Sequence, residues 1–530
     1  MKLAKNSENA SLLHALRSAV GEANVLTDEG SRLVYSTDFS EEQRPAAAVV
    51  VRPGSTDEVA EVVRLAARER YAVVPRGGGM TYTRAYVPER EETVLVDTSR
   101  MNRVLEVNTD DLYITVEPGV TWKQIRETLR DENYQIRFYG TLSGIRATVG
   151  GGLGNNAVGL GKGEVNDDLL GLEVVLYDGR IIQTGALATG PSPLLRHFGP
   201  DLTGIFVHDG GAMGIKTKAS FRLTRRPGGV AYASFGFQDR HAMVSAACEM
   251  ARLGVHTELL GFERYHHETF ANQPKPTPAE AKALLRKIVA TSPSRLRGMQ
   301  NVLKVARPGG LKFMSRWNQS LHVVVEAVDY GAANRATSIL KRVALRHGAG
   351  VMPPALSIAL RADPFMPVDR LILGLDGACS FPSNCLVPLS RAHELISALE
   401  KFYDENAPLM KEHGLDKTLV YIMTQSLFGI EPILYWRDRL NPLRMKILTD
   451  QQKAAWGTIP ADLKAREVAI QLRHGLRDLF GRMDGVHYGI GKYYRYKDAL
   501  KNEENWRTIQ AVKNLLDPAH LGNPGVLGLD

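Results

Sequence analysis

The chain has 530 residues, of which 44% are hydrophobic and 23% are charged, and its formal net charge of +8 is modest for this length. The length predicts two or three domains with substantial cores. No uncharged run is long enough for a transmembrane helix, and the N-terminus lacks the apolar core of a secretory signal. The three cysteines, Cys248, Cys379 and Cys385, form no Cys-x-x-Cys pair, which argues against a disulfide scaffold and a cysteine-based metal site.

The first 228 residues predict alternating strands and helices. Val49–Arg52 and Tyr71–Pro75 are short apolar strands, and Ser55–Arg70 between them has apolar residues at helical spacing. Thr121–Arg130 predicts another helix. Leu172–Thr184 predicts a hairpin, because two apolar runs flank an Asp-Gly turn. This arrangement is typical of an α/β unit.

The sequence composition changes at Arg225–Gly229, a segment with a proline and two glycines, and this change predicts a domain boundary. Beyond it, glycine becomes rarer, and strands such as Ser320–Val328 alternate with long helices such as Arg391–Tyr403 and Lys464–Leu479. Segments rich in glycine and proline return from Gly485 onward. We therefore expect residues 1–228 and 480–530 to form one discontinuous domain, with residues 229–479 as a second domain between them.

Three glycine-rich segments are the main functional signal in the first domain: Pro75–Tyr82, Thr148–Gly159 and Asp209–Thr217. Glycine lets the backbone approach a ligand closely, and successive free N–H groups bind phosphate oxygens. Neither a Walker A loop nor a Gly-x-Gly-x-x-Gly fingerprint before a helix is present. Three such loops in one α/β domain indicate a long, extended cofactor rather than an isolated phosphate.

The order of these segments resembles the vanillyl-alcohol-oxidase and p-cresol-methylhydroxylase superfamily of FAD-dependent oxidoreductases. The matching motifs are Val51-Arg52-Pro53, Pro75–Thr81, Val96–Asn102, Val116–Val120, Thr148–Gly159, Gly171–Val175, Gly211–Thr217, His487–Lys492, Leu516-Asp517-Pro518 and Asn523-Pro524-Gly525. The resemblance implies an α+β fold, in which a discontinuous FAD-binding domain of two subdomains is closed by an α+β cap. The cap resembles the glycolate oxidase and D-lactate dehydrogenase branch in general pattern only.

The resemblance also implies which residues hold FAD. Arg76, Gly77, Gly78, Gly79, Met80 and Thr81 would hold the pyrophosphate, Thr141, Thr148, Gly151, Asn155 and Gly159 would line the flavin and ribityl path, Ile215 would contact the adenine end, and Asn523 belongs to the C-terminal motif. Met80 stands where some relatives have the histidine that bonds covalently to FAD. Because a thioether cannot form that link, we expect non-covalent FAD.

For catalysis, the C-terminal pair His487 and Tyr488 is predicted to lie near the flavin. The unperturbed pKa of histidine is close to neutral, which suits His487 as the general base; the alternative is a structural histidine bonded to a carbonyl group. Polar candidates for substrate contact are Tyr421, Glu431, Tyr435 and Arg437 in the cap, and Lys492 in the C-terminal segment.

No metal is expected. The adjacent His266 and His267 would point apart on either a helix or a strand, so they are a poor start for a metal site. The metal-binding His-x-Gly-Asp-Gly-Asn-x-His pattern of many hydroxy-acid dehydrogenases is missing from the sequence.

The sequence thus predicts an FAD-dependent oxidase or dehydrogenase that oxidises the CH–OH group of a small organic substrate, a 2-hydroxy acid, by hydride transfer to flavin N5. One alternative is an enzyme that oxidises a phenolic or aryl alcohol, and another is a flavin-binding protein without turnover. The expected partners are the small-molecule substrate and an electron acceptor (dioxygen, a quinone or a redox protein), with no nucleic acid and a homodimer as a possible assembly. The expected location is cytoplasmic.

Overall fold

The structure is a computed structural model that describes residues 2–42, 44–272, 277–306, 312–374, 376–424 and 426–530. Up to residue 228 its elements are α1 (Lys2–Val20), β1 (Val25–Leu26), α2 (Glu29–Tyr35), β2 (Val49–Val51), α3 (Thr56–Arg68), β3 (Ala72–Arg76), β4 (Thr93–Asp97), β5 (Val104–Asn108), β6 (Tyr113–Val116), α4 (Trp122–Thr128), β7 (Tyr134–Gln135), β8 (Phe138–Gly140), α5 (Val149–Asn155), β9 (Leu160–Gly161), β10 (Leu169–Val175), β11 (Ile181–Gln183), α6 (Leu202–Ile205), β12 (Ile215–Arg222) and β13 (Thr224–Arg225).

The remaining elements are β14 (Gly229–Phe237), α7 (Arg240–Arg252), β15 (Glu258–Glu263), α8 (Arg264–Asn272), α9 (Pro278–Thr291), α10 (Arg295–Val305), β16 (Gln319–Ala327), α11 (Tyr330–Arg346), β17 (Gly350–Met352), α12 (Ala355–Ala362), α13 (Asp369–Ile372), β18 (Cys379–Pro382), β19 (Cys385–Pro388), α14 (Ala392–Glu412), β20 (Asp416–Met423), β21 (Leu427–Trp436), α15 (Pro442–Ile447), α16 (Asp450–Trp456), α17 (Leu463–Arg482), α18 (Tyr496–Ala499) and α19 (Glu503–Leu516).

Two sheets with a shared core form the first part of the chain. One has the strand order β1-β2-β4-β3, with β2, β4 and β3 parallel, and the other has the order β11-β10-β12-β6-β5. Helix α3 is capped at its N-terminus by Ser55, whose side chain accepts a hydrogen bond from the Glu58 N–H, and it buries one apolar face. Val73 and Val96 of the first sheet lie in one apolar cluster with Val175 and Ile215 of the second. The loops that follow β3 and precede β12 are thereby brought together.

The glycine-rich segment Thr148–Gly159 contains a helix, α5, where the sequence indicated only a loop. The Thr148 side chain caps this helix by accepting a hydrogen bond from the Gly151 N–H. Glycine disfavours helices by about 1 kcal/mol per residue relative to alanine. Close packing overrides this preference here, since a Cβ at Gly152 would collide with the Trp122 ring.

The middle of the chain forms an eight-stranded sheet with the order β17-β14-β16-β15-β20-β21-β18, in which β19 also pairs with β21. One face of this sheet packs on helices α7, α11, α14 and α17 through a large apolar core. The other face is turned toward the glycine loops of the first part. We call this sheet and its helices the cap.

The C-terminal segment returns to the first part of the chain. Val73 of β3 donates its N–H to the Leu521 carbonyl at 2.8 Å, and the Asn523 N–H donates to the Val73 carbonyl at 2.8 Å. Gly489 donates its N–H to the Asn155 carbonyl at 2.7 Å. The segment therefore passes beside the second glycine-rich segment at Gly489 and then lies along β3 at the edge of the first sheet.

Candidate active site

A cavity of about 380 Å³ lies between the glycine-rich segments and the cap sheet. Residues of all three glycine-rich segments line one side of it, including Gly77–Gly79, Gly150–Gly152, Gly210 and Gly211. The opposite side is formed by the cap, and Tyr488 and Gly489 of the C-terminal segment complete the wall. Three distant stretches of the sequence thus meet at one space.

The first glycine loop is tightly constrained by its neighbours. A Cβ at Gly78 would collide with the backbone carbonyl of Arg146, and Gly79 has a φ of +70°, a conformation that favours glycine. The loop follows β3 directly and runs along the cavity. Its backbone can therefore approach a ligand in a way that no larger residue would permit.

The residues predicted to bind FAD occupy this wall with one exception. The cavity is lined by Arg76, Gly77, Gly78, Gly79, Met80, Thr81, Thr141, Thr148, Gly151, Asn155, Gly159 and Ile215. Asn523 instead lies behind the wall, where its side-chain amide donates to the carbonyls of Ala85 and Gly210, each at 2.7 Å. Asn523 therefore joins the C-terminal segment to two loops of the cavity by hydrogen bonds.

Two buried polar atoms on this wall have no hydrogen-bond partner within the protein: Nε of Arg76 and Oδ1 of Asn155. The Arg76 guanidinium lies over the rings of Tyr35 and Tyr86, with its central carbon 4.6 and 5.0 Å from the ring centroids. Unpartnered buried polar atoms are costly unless a ligand or water satisfies them. A fixed cation and a wall of glycines fit a large, flat, phosphate-containing cofactor such as FAD.

Strand alternation decides which cap residues reach the cavity. Glu431, Ile433 and Tyr435 alternate along β21 and all line it, as do Val420 and Ile422 of β20. Tyr421 therefore points to the opposite face of the sheet. It is fully buried there, with its hydroxyl 3.3 Å from both Oε1 of Glu263 and Oε1 of Gln319.

The other two predicted substrate residues also lie away from the cavity wall. Arg437 follows the end of β21 and is exposed. Lys492 donates from Nζ to the Val87 carbonyl at 2.7 Å, and burial lowers its pKa to about 7. Of the five residues predicted to contact substrate, the structure brings Glu431 and Tyr435 to the cavity.

Glu431 is the centre of a polar cluster in a cap wall that is mostly apolar. The Tyr82 hydroxyl donates to its Oε1 at 2.7 Å, and the Tyr488 hydroxyl is a second hydrogen-bond partner. Burial raises the pKa of Glu431, while the two tyrosine hydrogen bonds oppose that shift. Burial and the neighbouring Glu431 charge raise the pKa of both tyrosines well above the usual value of 10, so both remain donors.

His487 lies behind Tyr488 and faces away from this cluster. Its Nδ1 donates to the Asn384 carbonyl at 2.7 Å, and its ring stacks on Tyr494 with centroids 3.7 Å apart. Burial lowers the pKa of His487 to about 4, so its imidazole is neutral at pH 7. These contacts match the structural alternative that the sequence left open for this histidine.

The adjacent histidines of α8 point apart, as the sequence indicated. His266 lines the cavity, with Nδ1 3.0 Å from the Thr418 hydroxyl, whereas His267 is buried with Nε2 2.7 Å from the Ser320 hydroxyl. Among the residues that the structure describes, no group of three or more histidine, cysteine or carboxylate side chains is arranged to hold a metal ion.

Tyr82, Tyr265 and Arg370 are among the cavity residues that the sequence did not assign. Tyr82 directly follows the first glycine loop, and its position next to that loop could have indicated that it lines the cavity. Tyr265 precedes the two histidines and stacks on Tyr435, with ring centroids 4.8 Å apart. Arg370 lies in a segment whose composition carries no comparable signal.

Comparison with models of protein families matches residues 47–185 to an FAD binding domain. Two relatives are the glycolate oxidase subunit GlcD of Bacillus subtilis, 33% identical over 213 residues, and a probable mitochondrial D-lactate dehydrogenase of Danio rerio, 30% identical over 256 residues. These alignments cover 39% and 48% of this chain, and 43% and 50% of the relatives. The chain thus spans about half the length of the curated relatives it matches.

Solved structures are similar over almost the whole chain. p-Cresol methylhydroxylase with substrate bound has a TM-score of 0.73 at 17% identity, and 4-ethylphenol oxidase from Gulosibacter chungangensis has 0.70 at 17%; each match covers 99% of this chain and 97% of the other. The fold is therefore that of these proteins, including the cap. Residues 47–185 thus match an FAD binding domain, and the chain as a whole has the fold of p-cresol methylhydroxylase. In the part of the chain that the structure describes, no helix is both long enough and apolar enough to cross a membrane.

Proposed function

We propose that this protein is an FAD-dependent oxidoreductase that oxidises the hydroxyl-bearing carbon of an aryl or phenolic alcohol. The observation that carries the proposal is the cluster of Tyr82, Glu431 and Tyr488 within an apolar and aromatic cavity wall. FAD, when bound, supplies the acceptor for the hydride that leaves the substrate carbon. The chain's own residues must then take the hydroxyl proton and orient the substrate.

Glu431 is the proposed proton acceptor. Glu431 lines the cavity, and a base must lie within hydrogen-bond reach of the proton that it removes. Burial raises the pKa of Glu431, which makes the carboxylate a stronger base than an exposed glutamate. Tyr82 and Tyr488 orient the carboxylate and stabilise it by donating hydrogen bonds. We assign the base to Glu431 rather than to His487, because the contacts of His487 face Asn384 and Tyr494.

The walls around Glu431 suit an aromatic substrate. Tyr265 and Tyr435 stack on each other at the cavity, and Phe262, Val420 and Ile422 extend the apolar surface. Flat apolar walls bind an aromatic ring by burying its surface and exclude water from the base. A substrate carboxylate would instead be repelled by Glu431 in its charged form.

A 2-hydroxy acid is the second candidate, and Arg370 favours it. Among the described residues, Arg370 is the only lysine or arginine that the cap contributes to the cavity lining. Its guanidinium could hold a substrate carboxylate. However, Arg370 is exposed, so a carboxylate bound there would lie toward solvent rather than deep in the apolar wall. The relatives named for glycolate and D-lactate oxidation match this chain over less than half of its length.

FAD is proposed to be held without a covalent bond. Met80 lines the cavity in the first glycine loop and offers no nucleophilic nitrogen or oxygen. His266 is the only histidine among the described residues of the lining, and it belongs to the cap, with its Nδ1 at the Thr418 hydroxyl.

Anaerobic reduction of the bound flavin tests the proposal. The holoprotein is mixed with benzyl and 4-hydroxybenzyl alcohols and, separately, with glycolate, D-lactate and D-2-hydroxyglutarate, while the visible flavin absorbance is followed. We expect the aryl alcohols to bleach it fastest. Bleaching by the hydroxy acids alone would establish the second candidate. Stable absorbance with every compound would favour a flavin-binding protein without turnover.

A further inference from the structure

The positive charge of the chain is concentrated in one part of the cap. Residues 277–316 contain nine lysines and arginines and a single acidic residue, Glu280. Their formal excess of +8 equals the net charge of the whole chain, so the rest of the chain is neutral overall. Between Thr277 and Ala306 this stretch forms α9 and α10, two helices packed against each other.

Helix α10 presents an unusual apolar stripe on its outer face. Leu296, Met299 and Leu303 are 66%, 61% and 73% exposed. They are spaced at i, i+3 and i+7, which puts them on one side of the helix. The opposite side, with Val302 and Val305, packs against α9 and α12. The stripe is therefore a separate exposed apolar face of α10 and not the edge of the hydrophobic core.

The same two helices also carry basic side chains. Lys282 and Arg286 of α9 and Arg295 at the start of α10 are exposed. Lys304 is half-buried beside Leu303, and its pKa is lowered by desolvation and by the nearby Arg297. An exposed apolar stripe on helices that also carry lysine and arginine is the pattern of a surface that lies on an anionic bilayer, with the apolar side chains below the headgroups.

The helix pair is also close to the cavity. Ile358 and Ala362 of α12 pack against α9 and α10, and Leu360 of the same helix lines the cavity. A surface formed by α9 and α10 is thus one helix away from the apolar wall that would receive the substrate.

We propose that α9 and α10 form a docking surface for a membrane that contains anionic phospholipids, with Leu296, Met299 and Leu303 inserted between the headgroups and the basic residues above them. The combination of charge and apolar stripe favours a bilayer over a nucleic acid. Phosphate contacts need only the charge, and exposed leucine and methionine would gain nothing from them. The proposal is independent of which alcohol the cavity takes.

Vesicle co-sedimentation of the FAD-loaded protein tests this surface. We expect binding to vesicles of phosphatidylcholine with phosphatidylglycerol, little binding to phosphatidylcholine alone, and a loss of binding as salt screens the charges. The triple variant Leu296→Gln/Met299→Gln/Leu303→Gln keeps every charge, and its partition coefficient should fall at least about tenfold, because each inserted side chain buries apolar area. The double variant Leu463→Gln/Leu515→Gln, which alters two exposed leucines of α17 and α19, should bind like the wild type.

Flavin content and circular dichroism verify that each variant is folded. Equal sedimentation of the triple variant and the wild type would overturn the proposal, as would absence of binding to anionic vesicles at low salt. A short DNA duplex serves as the competing ligand. If it binds the wild type and the triple variant equally and displaces the vesicles, the surface is a nucleic-acid site instead. Sedimentation equilibrium tests whether the stripe is instead a contact between two copies of the chain. That would be the conclusion if the wild type self-associates, the triple variant does not, and neither binds vesicles.

Discussion

Replacing Glu431 by glutamine should abolish most of the flavin reduction while leaving the fold intact. Glutamine keeps the size of the side chain and an oxygen that can accept the Tyr82 hydrogen bond, but it cannot take a proton. General-base catalysis contributes on the order of 10²- to 10⁴-fold, which corresponds to about 3–5 kcal/mol in the activation barrier. We expect the rate of anaerobic flavin reduction by the best substrate to fall within that range.

The pH dependence gives a second and independent signature. Since burial raises the pKa of Glu431, the wild-type reduction rate should rise with pH through that raised value and then level off. The reduction rate of Glu431→Gln should lack this rise with pH. The same shift has a consequence for stability. A carboxyl group with a raised folded-state pKa stabilises the protein fully below its unfolded pKa of 4.5, and this stability is lost as pH rises through the folded value. At pH 7 the neutral amide should therefore unfold at the same denaturant concentration as the wild type or a higher one.

Rapid mixing without oxygen, normalised to bound FAD, measures the rate, and urea unfolding measures the stability. Glu326→Gln is the matched control. Glu326 accepts the Tyr139 hydroxyl hydrogen bond at 2.6 Å and pairs with Arg361, in the cap but outside the cavity wall. Leaving Arg361 buried without its partner should cost about 3 kcal/mol of stability and leave the rate per flavin unchanged. If Glu431→Gln reduced its flavin at the wild-type rate at every pH, Glu431 could not be the base.

Three further predictions concern the cofactor and the second candidate base. Acid precipitation should release intact FAD into the supernatant, because Met80 cannot form the histidyl link; flavin retained in the pellet would contradict this. Gly78→Ala should lower FAD occupancy, since its Cβ would collide with a facing backbone carbonyl, whereas Gly190→Ala, at a glycine with open space around it, should bind FAD as the wild type does. His487→Asn should lose about 1 kcal/mol of stability through its hydrogen bond to Asn384 and reduce flavin within a few-fold of the wild-type rate; a 100-fold loss with full FAD content would return the base role to His487.

The glycine-rich side of the cavity could be predicted from the sequence because its signals are local. Each glycine-rich segment is contiguous in the sequence; Arg76–Thr81 lines the cavity without a break, and most residues of Thr148–Gly159 line it as well. Their function depends on backbone conformation, which glycine reveals directly. Tyr82 could have been added by the same reasoning, as the next residue of the first loop.

The cap could not be predicted at the same level, because both faces of its central strands are apolar. Along β20 and β21 one face packs on helices and the other lines the cavity, so polarity does not alternate in the usual way. Tyr421 and Glu431 look equivalent in such a sequence, yet they lie on opposite faces. The contact between Tyr82 and Glu431 joins residues 349 positions apart, and no local pattern encodes it. The division of the chain near residues 228 and 480 remains a prediction of the sequence.

The position of Glu431 connects the chemistry to the assembly of the fold. Tyr82 comes from the first glycine loop, Glu431 from the cap and Tyr488 from the C-terminal segment, so the cluster exists only when all three segments are docked. The raised pKa of Glu431 depends on the same docking, because burial is its largest cause. A displaced cap would expose the carboxylate, return its pKa toward 4.5 and weaken it as a base. Closure of the cap over the cavity would thus activate the proposed proton acceptor, which ties proton removal to a substrate enclosed in the cavity.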